Sequence, residues 1–142
     1  MRALFDVNVL IALFQPDHIH HQRVHQWWEA HKHFGWASCP ITENGFVRIL
    51  SQPKYPMPLT IPAAIKLLNL AKAATDHTFW PDDISLLDDT VFNAGSFASH
   101  GQITDSYLLA LSVKNRGRLV SLDQDIKTNT VIGVLENHLL KL

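Results

Sequence analysis

The spacing of apolar positions changes along the chain, and each change marks an element. Ala3–Phe5 is a short apolar run that predicts a strand. Beyond Asp6-Val7-Asn8, the apolar stretch Val9–Phe14 predicts a short helix, which Gln15-Pro16-Asp17 ends because proline and the residue before it disfavour helical geometry. His18–His33 predicts a longer helix, with Val24, Trp27, Trp28 and His31 recurring on one face. Gly35–Ser38 reads as a second strand, and Pro40 suits the first turn of a helix reaching Leu50. Gln52–Pro62 holds four of the seven prolines and predicts an extended loop. Ala63–Ala74 carries Leu67, Leu68 and Ala71 on one face, with Thr60 placed to cap it. Thr78–Trp80 and Ile84–Leu87 read as short extended pieces. Thr104 is expected to cap a helix from Asp105 to Asn115 that ends on a left-handed Gly117. Arg118–Leu122 is a strand, Asp123–Lys127 a turn and Thr130–Val134 a last strand. Strands alternating with helices predict an α/β fold with a mostly parallel sheet covered on both faces.

Length and composition narrow the class. The chain has 142 residues, 46% of them apolar and 18% charged, proportions of one globular domain spanning 1–142. At that size the ends of the sequence can meet in one site, since the radius of gyration is roughly 14 Å. The single cysteine, Cys39, permits neither an intrachain disulfide nor a cysteine-based zinc site. No apolar stretch approaches the ~20 residues of a membrane helix, and Asp6 interrupts the apolar N-terminus, so neither a membrane nor a secretory signal is expected. A cytoplasmic location is expected. Twelve basic and thirteen acidic residues give a net charge of −1, which by itself points to no polyanion.

Candidate chemistry lies in where the acids sit. Asp6 and Asp123 each fall at the C-terminal end of a predicted strand, the edge of an open parallel sheet where ligands bind. Asp105 opens a helix just after Thr104, and Glu43 shares a helix face with Phe46, Val47 and Leu50. Each has a bland alternative. Asp105 can complement a helix dipole, Asp123 can start a turn in which Asp125 accepts a backbone hydrogen bond, Asp6 can cap a helix, and Glu43 can complete a cap with Pro40. Convergence would change the physics. Two carboxylates ~4 Å apart repel by about 4 kcal/mol at an effective dielectric near 20, and no acid of the four has a lysine or arginine within three positions. A hard divalent cation is the natural compensator, and Mg²⁺ takes oxygen ligands while keeping waters and room for phosphate oxygens.

The segments MRALFDVNVLIALFQPDH, CPITENGFVRILSQP, ITDSYLLALSV and LVSLDQDI, in this order, resemble PIN-domain proteins, nearest in pattern to VapC-type toxins of bacterial toxin–antitoxin pairs. The resemblance runs from Met1 to about Val134. It implies a three-layer α/β/α sandwich with a central parallel sheet and a Mg²⁺-dependent ribonuclease activity, with Mn²⁺ as a possible substitute. The family's four acids map onto Asp6, Glu43, Asp105 and Asp123 as catalytic and metal-holding residues. Asn8 and Thr104 would orient ligands or waters beside them. The fourth motif departs from the family's usual Thr–aromatic–Asp, reading Ser121-Leu122-Asp123. Attack on RNA would be in line, leaving a 5′-phosphate and a 3′-hydroxyl. The resemblance also implies an antitoxin protein as partner and a homodimer.

Other features have competing readings. His21 and His25 have the spacing of a helical metal pair, among a group with His18, His20, His31 and His33, but the glutamate of H-E-x-x-H is absent. Trp27 and Trp28 cannot point the same way from one helix, so one is expected in the core and one near the surface, where it could stack on a base or anchor a protein. Arg48, Lys54 and Arg116 are candidate substrate contacts, with Arg23, Lys114 and Arg118 as further basic positions. The proline-rich loop has two equal readings, as the border of a groove or as a connector between two helices. A housekeeping RNA-maturation or DNA nuclease of the same fold, or a non-catalytic protein- or RNA-binding module, remain alternatives. A phosphatase with a nucleophilic aspartate fits less well, because Asp6-Val7-Asn8 lacks a second acid.

Overall fold

The computed structural model describes residues 1–142. Ten elements follow in chain order: β1 (Ala3–Phe5), α1 (Val7–Phe14), α2 (His21–His31), β2 (Trp36–Ser38), α3 (Pro40–Leu50), α4 (Ile61–Ala74), β3 (His77–Phe79), α5 (Ile103–Lys114), β4 (Arg118–Ser121) and β5 (Leu139–Lys141). The strands form one sheet in the order β3-β2-β1-β4-β5, and every pairing is parallel rather than mostly so. No helix is long and apolar enough to cross a membrane.

Strand alternation decides which helices cover which face. Ala3, Phe5, Trp36 and Val120 point to one side, where they pack with α1, α2, α3 and α4 through Leu10, Val24, Trp28, Phe46 and Leu68. Leu4, Ala37 and Leu119 point to the other, against α5 and the segment carrying Trp80, Phe92, Ile126 and Val131. The result is the expected three-layer α/β/α arrangement. Phe5 is central to the first layer, with the Trp36 ring stacked on it at 5.6 Å and Trp28 edge-on at 5.7 Å. Trp28 is buried and Trp27 half-buried, as two adjacent tryptophans on one helix require.

Several local expectations change. Residues 18–33 do not form one helix: the His20 amide donates to His18 Nδ1, closing a turn before α2, and the far end tightens into a 3₁₀ turn at Lys32–Phe34. Thr60 caps α4 by accepting from the Ala63 amide, but the helix begins at Ile61. The cap of α3 is completed by Thr42, whose hydroxyl accepts from the Cys39 amide, and not by Glu43. Thr104 lies inside α5, which starts at Ile103 after a 3₁₀ turn closed by Ser99 and Gln102. The left-handed residue after α5 is Arg116, with φ 55°. Gly117 is needed for space, since a Cβ there would sit 2.6 Å from the Arg2 carbonyl oxygen. Ile84–Leu87 is not a strand, and Thr130–Val134 makes only an isolated antiparallel bridge between Val131 and Phe92. The fifth strand is instead Leu139–Lys141, a half-exposed edge whose three residues are too few to display a period.

Candidate metal centre and substrate edge

The three parallel strands β1, β2 and β4 end side by side, and each delivers its following residues to the same edge. Asp6 leaves β1 and caps α1, its Oδ1 accepting from the Val7 amide at 2.7 Å. The capping role and the site position are therefore one placement. Its Oδ2 accepts from the Ser121 hydroxyl at 2.6 Å, across 115 residues of sequence. The same Ser121 oxygen accepts from the Asn8 side-chain amide at 3.2 Å and from the Asp123 backbone amide at 3.0 Å. One hydroxyl thus spends its single proton and both lone pairs on site residues. Asn8 Oδ1 accepts from the Leu122 amide, which ties the first turn of α1 to the end of β4. The Asp123 carboxylate accepts from the Asp125 amide at 2.8 Å, so in this turn Asp123 is the acceptor, the reverse of the expected role for Asp125.

Asp105 lies in the first turn of α5, close enough to Asp6 and Asp123 for their charges to reach it. Burial pushes its carboxyl up to about 6, and the charges of Asp6 and Asp123 push in the same direction. Burial also raises Asp6, with Asp123 adding to it, while the Ser121 and Val7 hydrogen bonds pull the other way. Asp105 thus senses Asp6 and Asp123, Asp6 senses Asp123, and none of the three forms an ion pair with a lysine, arginine or histidine.

Glu43 stands apart electrostatically. Its Oε1 accepts from the Ser38 hydroxyl at 2.6 Å and lies 3.8 Å from Lys72 Nζ on α4. The expectation that no basic side chain reaches the acids fails here, because Lys72 is distant in sequence but adjacent across the α3–α4 contact. Burial, followed by the nearby Lys72 charge, pushes His77 down to about 4, so its imidazole is neutral at neutral pH. Ser38 gives its one proton to Glu43, so in the 2.8 Å contact between Ser38 Oγ and His77 Nε2 the imidazole is the donor. Ser38, Lys72, His77 and Ser121 were not among the expected site residues. Only Ser121 had a signal in the sequence, as the hydroxyl two positions before Asp123.

The remaining candidates make no contact with the acids' carboxylates. Thr104 is exposed and its hydroxyl makes no hydrogen bond within the chain. Arg116 is placed away from the acids. It follows the far end of α5 and precedes β4, placing it at the opposite edge of the sheet from Asp105, about 16 Å away by helical rise. Arg48 is exposed, five residues beyond Glu43 and on another side of α3, and Lys54 lies in the exposed proline-rich loop. The histidines of the α2 region build no metal site: His21 Nδ1 is bonded to the Ala12 carbonyl, and His25 Nε2 lies 4.0 Å from Glu29.

The donors at the edge suit a hard divalent cation. Asp6, Asp105 and Asp123 offer carboxylate oxygens, two of the three held in protonation-favouring surroundings, with no internal cation to offset them. No three His, Cys, Asp or Glu side chains close into a cage. Such a loose set fits Mg²⁺, which keeps several waters and is typically held by one or two carboxylates together with substrate phosphates.

The architecture and this acidic sheet edge define a class, and a family model described as the PIN domain matches residues 3–130. The chain belongs to the PIN-domain family. Over 142 residues, the whole of both chains, it is 47% identical to a Mycobacterium tuberculosis protein named Ribonuclease VapC44. It is also 40% identical over 137 residues to Ribonuclease VapC39 (96% of this chain, 99% of the relative), and 42% identical over 127 residues to Ribonuclease VapC38 (89% and 88%), both from the same organism.

Proposed function

We propose that this chain is a Mg²⁺-dependent endoribonuclease, one domain over residues 1–142, and the toxin of a toxin–antitoxin pair. The observation that carries the nuclease reading is that the charges of Asp6 and Asp123 reach Asp105 while none of the three acids has an ion-pair partner. The names of its relatives, all ribonucleases, support RNA as substrate, and the resemblance to VapC-type toxins implies an antitoxin as partner. In this reading Asp6, Asp105 and Asp123 hold the ion, directly or through water, and Glu43 approaches it from the neighbouring strand end. The chemistry such an ion supplies when bound is acidification of the attacking water and neutralisation of charge on the scissile phosphate. The protein's own part is positioning. Ser121 and the Val7 amide fix both oxygens of Asp6, Asn8 clamps the end of β4, and Ser38 orients Glu43. Mn²⁺ is expected to substitute, and a homodimer in the cytoplasm is the expected form.

Changing Asp6 to Asn tests the assignment. The variant should keep its fold by circular dichroism and lose Mg²⁺-dependent cleavage of single-stranded RNA by at least a hundredfold. Retained cleavage removes Asp6 from the machinery. Induced expression separates a toxin from a housekeeping nuclease of the same fold: growth arrest relieved by a small co-encoded protein is expected of the toxin alone.

A further inference from the structure

The α3–α4 boundary opens beside Glu43 into a cleft of about 290 Å³. Its floor is apolar, supplied by Val47 and Leu68, and its rim is polar, supplied by Asn44, Asn69 and Lys72, with Glu43 at one end. The Asn44 and Asn69 side chains are exposed and have no hydrogen-bond partner within the chain. Lys72 Nζ has only Glu43, at 3.8 Å, beyond hydrogen-bonding distance and partly open to water. Such an ion pair holds Lys72 weakly, which leaves the ammonium available to an anion arriving from outside.

Resting on the nuclease reading above, we infer that this cleft is a nucleotide subsite, in which Asn44 and Asn69 read the edge of an unstacked RNA base while Lys72 takes the adjoining phosphate. The chemistry matches part by part. A base presents a flat apolar face to Val47 and Leu68, and a hydrogen-bonding edge to the two carboxamides. Asparagine can pair with adenine through both a donor and an acceptor. Single-stranded RNA is commonly recognised by bases turned outward onto such surfaces. The phosphate places a negative charge where the only cation near the candidate acids stands. In the nuclease reading, which sets Glu43 beside the ion, continuity with Glu43 brings this nucleotide near the bond to be cut, so the subsite would select where cleavage occurs. The other large surface hollows lack this combination. One beside Leu87, Phe97 and Ile103 is mainly apolar, and one along Ile61, Ile65 and Leu70 adjoins the cleft through Ile65 and Asn69 but has no acid in its own lining.

Two measurements test the subsite separately from the nuclease reading. In the first, a pool of random single-stranded RNA is cut by the otherwise wild-type protein and by the Asn44→Ala/Asn69→Ala double variant, and the cut positions are sequenced. Because both residues are exposed, the variant should fold and still cut, with the base preference beside the cut reduced roughly fivefold to a hundredfold. An unchanged preference overturns the subsite and leaves the nuclease reading standing. In the second, short homopolymer RNAs are bound to Asp6→Asn protein, with and without the double substitution, and followed by fluorescence anisotropy. Loss of discrimination among bases supports the subsite even if wild-type protein cuts nothing, in which case the nuclease reading alone fails. Lys72→Gln in the same assay should weaken all sequences alike and lower the salt dependence by about one phosphate contact. Should the substitutions leave RNA binding intact and instead abolish retention of a co-expressed protein, the cleft belongs to a protein partner and the inference falls.

Discussion

At the scale of single residues, Ser121 concentrates the most consequence in one atom. Its hydroxyl meets Asp6, Asn8 and the Asp123 amide together, and Ser121 is fully buried. Ser121→Ala would leave a buried carboxylate oxygen and two donors without their partner. The expected loss is about 1.5–3 kcal/mol of stability, measured by urea unfolding, together with a marked fall in cleavage. Ser121→Thr keeps the hydroxyl and should restore most of both. Equal behaviour of the alanine and threonine variants would show that the hydroxyl carries no load. Asp105 gives a prediction with a sign fixed by linkage. Its folded carboxyl titrates near 6, above the ordinary value of about 3.9, so the folded state binds the proton more readily than the unfolded one. In EDTA, the stabilisation from the protonated form is fully present below pH ~4 and is lost as pH rises through 6. Asp105→Asn, which cannot ionise, should therefore match wild type near pH 4 and become progressively more stable than it up to neutral pH, where the difference levels off. A difference that stays flat across this range would mean that neither burial nor the neighbouring acids raise the Asp105 carboxyl.

At the scale of elements, the site depends on how closely α3 approaches α1. Gly45 makes that approach possible, since a Cβ there would lie 2.5 Å from Val7 Cγ2. Val7 is β-branched and stiff, and it follows Asp6 directly. Gly45→Ala should thus push α3 outward at a cost of about 1–3 kcal/mol, and should disturb both Glu43 on one helix and Asp6 on the other. Adding Val7→Ala removes the obstructing methyls and should recover much of the stability, a coupling that a double-mutant cycle measures directly. Additive losses would show that the two helices do not touch there. Elements also explain what could be read from the sequence. Ala3–Phe5, Pro40–Leu50 and the strand before Asp123 announced themselves because each joins a clear apolar run to a punctuating residue, and those junctions carry Asp6, Glu43 and Asp123. The second site feature, Lys72 beside Glu43, was invisible for the opposite reason. Its meeting with Glu43 depends on the crossing of α3 and α4, which no local period encodes. Arg116 was a candidate only as a basic position, and its place at the edge where β4 begins depends on how α5 and β4 carry the chain across the sheet. Thr130–Val134 misled because an exposed Ile132 beside a buried Val131 mimics strand alternation, although the segment serves as a clip over α5.

At the scale of the whole molecule, the fold gathers carboxylates from residues 6, 105 and 123 to one edge and supplies a lysine to only the fourth acid. Asp6 follows β1 and Asp105 opens α5, which packs on one face of the sheet, so the two come near each other only in the folded state and their repulsion counts against folding itself. A cation that binds only the assembled edge should return that energy. By mass action, Mg²⁺ at about a hundred times its dissociation constant adds ~2.7 kcal/mol, which for a chain of this length corresponds to a rise of roughly 8–10 °C in the unfolding midpoint. The rise should be present in wild type and small in Asp6→Asn and Asp105→Asn, while K⁺ at equal ionic strength should not reproduce it. Glu43→Gln should behave differently. Its carboxylate is already offset by Lys72 and Ser38, so removing its charge should leave most of the Mg²⁺-dependent stabilisation in place while lowering cleavage. A differential scanning measurement across these variants, with and without EDTA, therefore separates two roles for four acids: three that make the fold depend on the ion, and one held ready beside it.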